Sequence, residues 1–338
     1  MSELVQGVHG FHGRLEMRPF ASAALRGNGA GDRHVREVPV WLPPGYDAGG
    51  ARFPVVFVLA PYASRGHRYL ETDPWRPGVV ALYDRAVARG EAAPAILVLP
   101  DAFTKLGGSQ YADSSYLGGY ATYVARELVE WVDANYRTNG RRGVLGKSSG
   151  GFGALHLAMR FPGTFQAVAS ISGDCCFEIG YGPDLLACLR ALVPFGGDPA
   201  RFLEDFLRTP ELSGDRHAAI SVLALSAAYS PNPASPLGFD LPMDLATGER
   251  IEAVWQRWLE FDPLFDCERH RDALAGLDLL HLECGLRDEY HLQWALRRLA
   301  RRLRELEVPF QHEEHDGGHR GIDERILRAL PKVIAALE

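Results

Sequence analysis

The chain has 338 residues and a formal net charge of -7, with 46% hydrophobic and 23% charged residues. These proportions are typical of a globular protein with one large α/β domain or two ordinary ones. The sequence has no basic stripe with interleaved aromatic residues, which argues against a nucleic-acid partner.

The first twenty residues contain charged and histidine side chains and no apolar run long enough for a signal peptide or a membrane span. We therefore expect a cytoplasmic protein without a membrane span. The five cysteines have no C-x-x-C spacing, which predicts reduced, mostly buried thiols and argues against a disulfide framework or a zinc site. Neither a metal nor a cofactor is expected.

Short segments rich in apolar residues predict the strands. Two of them open the chain as antiparallel strands, and several later ones are apolar at every position, which is typical of strands buried on both faces. The strands are predicted at residues 14–17, 36–42, 54–60, 95–99, 142–145, 167–172, 277–284 and 310–314.

Helical patterns alternate with these strands. They are predicted at residues 79–89, 120–136, 151–160 and 324–337, and along the leucines at positions 292, 296, 299, 303 and 306. The alternation of strand and helix predicts a mostly parallel central sheet with right-handed crossovers. The fold class is therefore α/β.

Residues 175–263 break this alternation. They contain helix-like pieces at residues 185–192 and 251–259 and a proline-rich stretch at residues 230–236. We interpret them as a lid or cap inserted into a single domain and covering the C-terminal edge of the sheet. Their apolar stretches fit a lid that shapes an acyl or aromatic pocket, and equally a lid that only packs or forms an oligomer contact.

A G-x-S-x-G motif occupies residues 146–150, between the strand predicted at 142–145 and the helix predicted at 151–160. This is the context that a nucleophile elbow requires. Glycines are needed there because a strained turn brings strand and helix too close together for neighbouring side chains. Ser148 is therefore the candidate nucleophile.

A serine hydroxyl needs a histidine as base and a carboxylate to orient that histidine. His319 follows the last predicted strand within a glycine turn and is the candidate base, with His315 as its main rival. Asp288 follows the preceding strand and is the candidate acid, with Glu289 and Asp174 as alternatives. The chain order Ser, Asp, His is that of an α/β-hydrolase.

Two backbone N–H groups are candidates for an oxyanion hole. The N–H of Ser149 lies at the N-terminus of the predicted helix, where the helix dipole favours a negative oxygen. The second donor should come from the loop after the strand at 54–60, and Tyr62 is the candidate because Pro61 has no N–H.

Three further residues are candidates for substrate contact. Lys147 lies beside the nucleophile and could bind an acidic group, although side chains at this position more often pack on the scaffold. Gln110 and Tyr111 follow the strand at 95–99, and for them substrate contact and loop packing are equally compatible with the sequence.

The chain resembles the "putative esterase" family of α/β-hydrolases, which includes esterase D, feruloyl esterase and enterochelin esterase relatives, and mycolyltransferases. The resemblance runs through most of the sheet. Its motifs are Pro43-Pro44-Gly45-Tyr46, Leu99-Pro100-Asp101, Glu127-Leu128, Gly146-Lys147-Ser148-Ser149-Gly150-Gly151, Phe161-Pro162 with Phe165, Ser172-Gly173 and Gly317-Gly318-His319. The chain departs from the family at Ala60-Pro61, where relatives often have His-Gly or Ser-Gly, and in the length of its insertion.

By position, the resemblance implies Ser148 as nucleophile, Asp288 as acid, His319 as base, and the amides of Tyr62 and Ser149 as oxyanion donors. It implies an α/β-hydrolase fold and a cofactor-independent serine carboxylesterase acting through an acyl-enzyme on a small-molecule ester. An acyltransferase with the same triad and a non-catalytic binding protein of the same fold remain alternatives. A homo-oligomer is possible.

Overall fold

A computed structural model describes residues 10–70, 72–73 and 75–338 of the chain. Within this part of the chain, eight strands form one sheet in the order β1-β2-β4-β3-β5-β6-β7-β8. The strands are β1 Arg14–Ala21, β2 Val35–Leu42, β3 Phe53–Leu59, β4 Ile96–Val98, β5 Thr138–Lys147, β6 Ala167–Ile171, β7 Leu279–Gly285 and β8 Gln311–His315. The prediction of no signal peptide rests on residues 1–20, of which residues 1–9 lie outside the described residues.

The sheet is parallel except at its N-terminal edge. Strand β1 pairs antiparallel with β2, and β2 pairs antiparallel with β4. All other neighbouring strands pair in parallel, from β4 through β3, β5, β6 and β7 to β8. The predicted α/β class, with antiparallel strands at the start of the chain and a mostly parallel sheet, is confirmed.

Helices connect the strands and cover both faces of the sheet. They are α1 Val79–Ala88, α2 Leu128–Asn135, α3 Ser149–Arg160, α4 Phe177–Gly180, α5 Gly182–Leu192, α6 Pro199–Arg208, α7 Gly214–Tyr229, α8 Glu252–Leu259, α9 Pro263–Arg269, α10 Arg271–Ala275, α11 Leu292–Glu305 and α12 Glu324–Ala335. The helix predicted at 120–136 contains the short helix Tyr120–Thr122 and the π-helical turn Tyr123–Glu127 before α2.

The core lies on both faces of the central strands. Strand β3 is buried at every residue, as its continuous apolar run predicts. Because side chains alternate along a strand, Val55 and Phe57 belong to the hydrophobic cluster on one face of the sheet, which includes residues of α2, α3 and α11. Val56 and Val58 belong to the cluster on the other face, which includes residues of α1 and α12. The five cysteines are buried and free, as predicted.

Helices α4 to α10 occupy the long connection between β6 and β7. This connection includes the insertion predicted at residues 175–263. Its two ends meet at Asp262, whose buried carboxylate accepts the backbone N–H groups of Cys176 and Phe177, both at 2.7 Å. Burial raises the pKa of Asp262 to about 6, against the lowering effect of these hydrogen bonds.

Strand β5 is the main departure from the predicted boundaries, because it begins at Thr138 and not at residue 142. Its first residues include polar side chains that give no apolar signal, and Thr138 pairs with Phe53 across a register shift. Pairing with a buried neighbour thus extends the strand beyond its apolar part. Among the described helices, none is long and apolar enough to cross a membrane.

Candidate active site

Ser148 lies in the sharp turn between β5 and α3, with a φ of +58°. Glycines on both sides make this turn possible. A Cβ at Gly146 would lie closer than 3.0 Å to the backbone of Gly150, and a Cβ at Gly150 would lie equally close to the backbone of Leu59. No side-chain shift can relieve a contact with backbone atoms, so the motif requires glycine at both positions.

The structure brings Ser148, His319 and Asp288 together. The Oγ atom of Ser148 lies 3.0 Å from Nε2 of His319. On the other side of the ring, Nδ1 of His319 lies 2.8 Å from Oδ2 of Asp288. This arrangement has the ring donate through Nδ1 to the carboxylate and accept the serine hydroxyl at Nε2.

The surroundings of His319 and Asp288 restrict the ring and favour the carboxylate anion. Both residues are buried, and the ring of Tyr290 packs edge-on against the imidazole at 4.7 Å between centroids. Burial by itself would raise the pKa of Asp288. The hydrogen bond and charge of His319, together with the backbone N–H groups of Tyr290 and Leu292, outweigh burial and lower that pKa.

The alternatives named from the sequence occupy other positions. The carboxylate of Glu289 accepts the backbone N–H of His319 and not its ring. Nδ1 of His315 accepts the N–H of Gly317 at 3.0 Å, and its Nε2 lies 3.7 Å from Glu283. Asp174 lines the same cavity as Ser148, and burial raises its pKa to about 6.

Ser149 and Tyr62 both line the cavity beside Ser148. Ser149 is the first residue of α3, so its N–H has no partner within the helix. Among the described residues, the N–H groups of Ser149 and Tyr62 donate no hydrogen bond. The hydroxyl of Tyr62 donates to the carbonyl of Leu106 at 2.6 Å, which fixes the residue in its loop.

The three predicted substrate-binding residues are in different environments. Gln110 lines the cavity, where its Oε1 accepts the hydroxyl of Ser149 and its Nε2 donates to the hydroxyl of Tyr181 at 3.2 Å. Lys147 also lines the cavity and lies 3.5 Å from Asp323, and burial lowers its pKa.

Tyr111 does not line the cavity. Its hydroxyl donates to the carbonyl of Ala60 at 2.8 Å. Its ring packs so closely on α3 that a Cβ at Gly153 would meet it at less than 3.0 Å. Tyr111 therefore packs on the scaffold that supports the loop, which is one of the two roles that the sequence left open for it.

The cavity has a volume of about 830 Å³. Its floor is formed by residues after β3, β5 and β8, and one wall by α5 and α7 of the long connection. Asp184 and His217 of this wall were not predicted from the sequence. They belong to no motif, and only the fold of the connection brings them near Ser148.

A separate, partly buried cluster has side chains of the kind that bind metals. In the described part of the chain, candidate ligand atoms of His281, Glu283 and Glu313 lie within 4.8 Å of one another. However, Arg325 and His281 contact the carboxylate of Glu283, and Lys332 contacts that of Glu313. These partners make the cluster an ion-pair network, in which a cation would have to displace the arginine and lysine.

Two curated proteins are similar to part of this chain. Esterase Rv1288 of Mycobacterium tuberculosis is 31% identical over 150 residues, which are 43% of this chain and 30% of that protein. Esterase MT1326, from another strain of the species, matches to the same extent. The chain thus spans only about 30% of the length of these curated relatives.

Solved structures share the fold over nearly the whole chain. A ferulic acid esterase superposes with a TM-score of 0.60 at 20% identity, covering 97% of this chain and 100% of the other. The S-formylglutathione hydrolase FrmB of Staphylococcus aureus gives 0.59 at 15% identity, covering 96% and 99%. A family model described as "Putative esterase" matches residues 33–322. The chain therefore belongs to this esterase family and has its α/β-hydrolase fold.

Proposed function

We propose that the protein is a serine carboxylesterase that hydrolyses a small-molecule ester without a cofactor. The single observation that carries the proposal is the line of contacts from Ser148 Oγ to His319 Nε2, at 3.0 Å, and from His319 Nδ1 to Asp288, at 2.8 Å. Membership of the esterase family also supports hydrolysis of an ester bond.

In the first half-reaction, Ser148 Oγ attacks the ester carbonyl while His319 Nε2 takes the hydroxyl proton. The carbonyl oxygen becomes an oxyanion, which the N–H groups of Ser149 and Tyr62 stabilise. Each such donor contributes on the order of 3 kcal/mol in the transition state. The alcohol then leaves with the proton held by His319, and an acyl-enzyme remains.

In the second half-reaction, His319 removes a proton from a water molecule that attacks the acyl-enzyme. A second oxyanion forms in the same place, and the proton returns to Ser148 Oγ as the carboxylic acid leaves. Asp288 keeps the imidazole in one tautomer and stabilises its protonated form in both halves. The site returns to its starting state, so no further reactant is required.

The test compares two serines of the same cavity. We expect Ser148→Ala to lower kcat for 4-nitrophenyl butyrate by roughly 10³-fold or more and to abolish labelling by a fluorophosphonate probe. Ser221→Ala, which changes a serine in the α7 wall of the cavity, should retain both. Near wild-type turnover by Ser148→Ala would remove Ser148 from this role.

Product analysis separates hydrolysis from acyl transfer. With an added alcohol acceptor, the proposed esterase yields mainly free carboxylic acid. A new ester as the main product would instead identify a transferase. Absence of both turnover and probe labelling would favour a non-catalytic binding protein.

A further inference from the structure

Two carboxylates in the cavity form no ion pair with any residue in the described part of the chain. Asp174 and Asp184 line the same cavity as Ser148. Among the described residues, no arginine, lysine or histidine nitrogen lies within 4.0 Å of either carboxylate, whereas Asp215 of the same cavity pairs with Arg190 at 2.8 Å.

Two cations of the cavity pair with Asp323, whereas a third, Arg320, also lines the cavity and, among the described residues, forms no ion pair with Asp174 or Asp184. Arg68 lies 2.7 Å from Asp323, and Lys147 lies 3.5 Å from the other oxygen of that carboxylate. His217 also lines the cavity, but burial and the charge of Arg320 lower its pKa, which favours the neutral ring. Among the described residues, no direct ion pair therefore neutralises Asp174 or Asp184, and the charge of His319 stabilises the Asp174 carboxylate from a distance.

Burial makes this arrangement costly for an empty site. It raises the pKa of Asp174 and of Asp184 to about 6. For Asp174, the charges of Asp288 and Asp184 act in the same direction as burial, against the lowering effect of the His319 charge and of a hydrogen bond from Tyr181. Both groups are nevertheless mainly ionised above neutral pH. Negative charge near Ser148 also opposes formation of an oxyanion, because like charges repel more strongly where water is excluded. A positive charge on the substrate would remove both penalties.

Aromatic rings line the cavity together with these carboxylates. Tyr62 and Tyr181 both face it. The hydroxyl of Tyr62 is bound to the Leu106 carbonyl, and that of Tyr181 accepts the amide of Gln110. Aromatic rings next to carboxylates are surroundings in which organic ammonium groups bind.

We propose that Asp174, Asp184, Tyr62 and Tyr181, here called the acidic wall, bind an ammonium group of the substrate. The preferred esters of this protein then carry a positive charge on their acyl or alcohol part. This inference rests on the proposed esterase function and names the substrate class of the same site.

The test uses pairs of esters with the same shape and different charge. Butyrylcholine is compared with 3,3-dimethylbutyl butyrate, which places a neutral carbon where choline has its nitrogen. For the acyl side, 4-nitrophenyl 4-(trimethylammonio)butanoate is compared with 4-nitrophenyl 5,5-dimethylhexanoate. We expect the charged ester of at least one pair to have a kcat/KM roughly tenfold higher.

Variants assign the preference to the acidic wall. Asp184→Asn should bring the ratio of charged to neutral ester towards one. Asp215→Asn, which removes a paired carboxylate from the same cavity, should keep the wild-type ratio. Because both esters of a pair are measured on the same preparation, a partly folded variant does not alter the ratio.

The outcomes are distinct. Turnover of the neutral esters without any preference for the charged ones overturns the ammonium site and leaves the esterase proposal standing. The ammonium site is also overturned, and the esterase proposal left standing, if Asp184→Asn keeps the full preference for the charged ester. The same conclusion follows if Asp215→Asn loses that preference to the same extent as Asp184→Asn. Lack of turnover of every ester, 4-nitrophenyl acetate included, would overturn the esterase proposal itself.

Discussion

The carboxylate of Glu289 accepts the backbone N–H of His319, whereas its neighbour Asp288 accepts the ring N–H of the same residue. Two adjacent acids thus fix one histidine in two ways. Glu289 positions the main chain of His319, and Asp288 sets the tautomer of its imidazole.

These two roles predict different effects of removing each charge. Asp288→Asn presents an amide to the ring and favours the wrong tautomer, so we expect kcat to fall by roughly 10³- to 10⁴-fold. Glu289→Gln keeps an oxygen that can accept the backbone N–H, and we expect a loss below about tenfold. Steady-state kinetics with 4-nitrophenyl butyrate measures both. Equal losses would contradict the assignment of Asp288 as the orienting acid.

Gln110 is expected to act through Ser149, whose hydroxyl it accepts. Removing this bond loosens the first turn of α3, which carries one proposed oxyanion donor, so Gln110→Ala and Ser149→Ala should each lower kcat roughly tenfold. Because both variants break the same contact, the double variant should lose little more than either single one. If the two kcat losses multiply in the double variant, or if the variants change KM alone, Gln110 does not position Ser149.

Substitution of Gly146, which precedes Ser148 in the turn by two residues, is expected to lower both stability and activity. A methyl group at this position meets the backbone of Gly150, so Gly146→Ala should lower the free energy of unfolding by about 1–3 kcal/mol and reduce kcat. Gly182→Ala is the matched control, since a Cβ at this position meets no atom within 4 Å. Denaturant unfolding and esterase assays on both variants check the prediction. Equal stability of the two variants would show that the turn can relax around a side chain.

The buried imidazole of His156 predicts a pH dependence of stability. It stacks on Phe152 at 5.4 Å between ring centroids, and burial, followed by the charges of Arg160 and His270, lowers its pKa to about 3. Between pH 6.5 and pH 3 the unfolded chain binds a proton that the folded protein excludes. Stability contributed by this neutral histidine is therefore lost as pH falls.

Replacing His156 by phenylalanine tests whether this histidine makes the protein less stable as pH falls. From pH 7 to pH 5 the wild-type protein should lose roughly 2 kcal/mol more of its free energy of unfolding than His156→Phe. The buried acids Asp174, Asp184 and Asp262, whose raised pKa values act in the opposite direction, are present in both proteins and cancel. Parallel pH curves for the two proteins would contradict the prediction.

The sequence was sufficient to predict the fold and the meeting of Ser148, Asp288 and His319. Each of these residues follows a strand, and the C-terminal ends of parallel strands meet at one edge of a sheet. The motif around Ser148 adds a turn whose glycines are required by close backbone approach. The local motif and the sheet topology therefore both predict that the three side chains meet at this edge.

The sequence could not predict which side chains face the cavity. Gln110 and Tyr111 adopt φ values of +53° and +52° although neither is glycine. These positive φ values help direct adjacent side chains to different surroundings, one into the cavity and one against α3. Asp184 faces the cavity because α5 packs on α7, a tertiary contact that no local pattern encodes.

The closure of the long connection at Asp262 has a consequence for how this family can diversify. Because one carboxylate ties residues 176, 177 and 262 together, the intervening helices leave the sheet and return to it at a single anchored point. Changes of length or sequence within that excursion need not displace the strand ends that carry Ser148 and His319. New substrate preferences can thus arise by remodelling the excursion while the reacting groups keep their places.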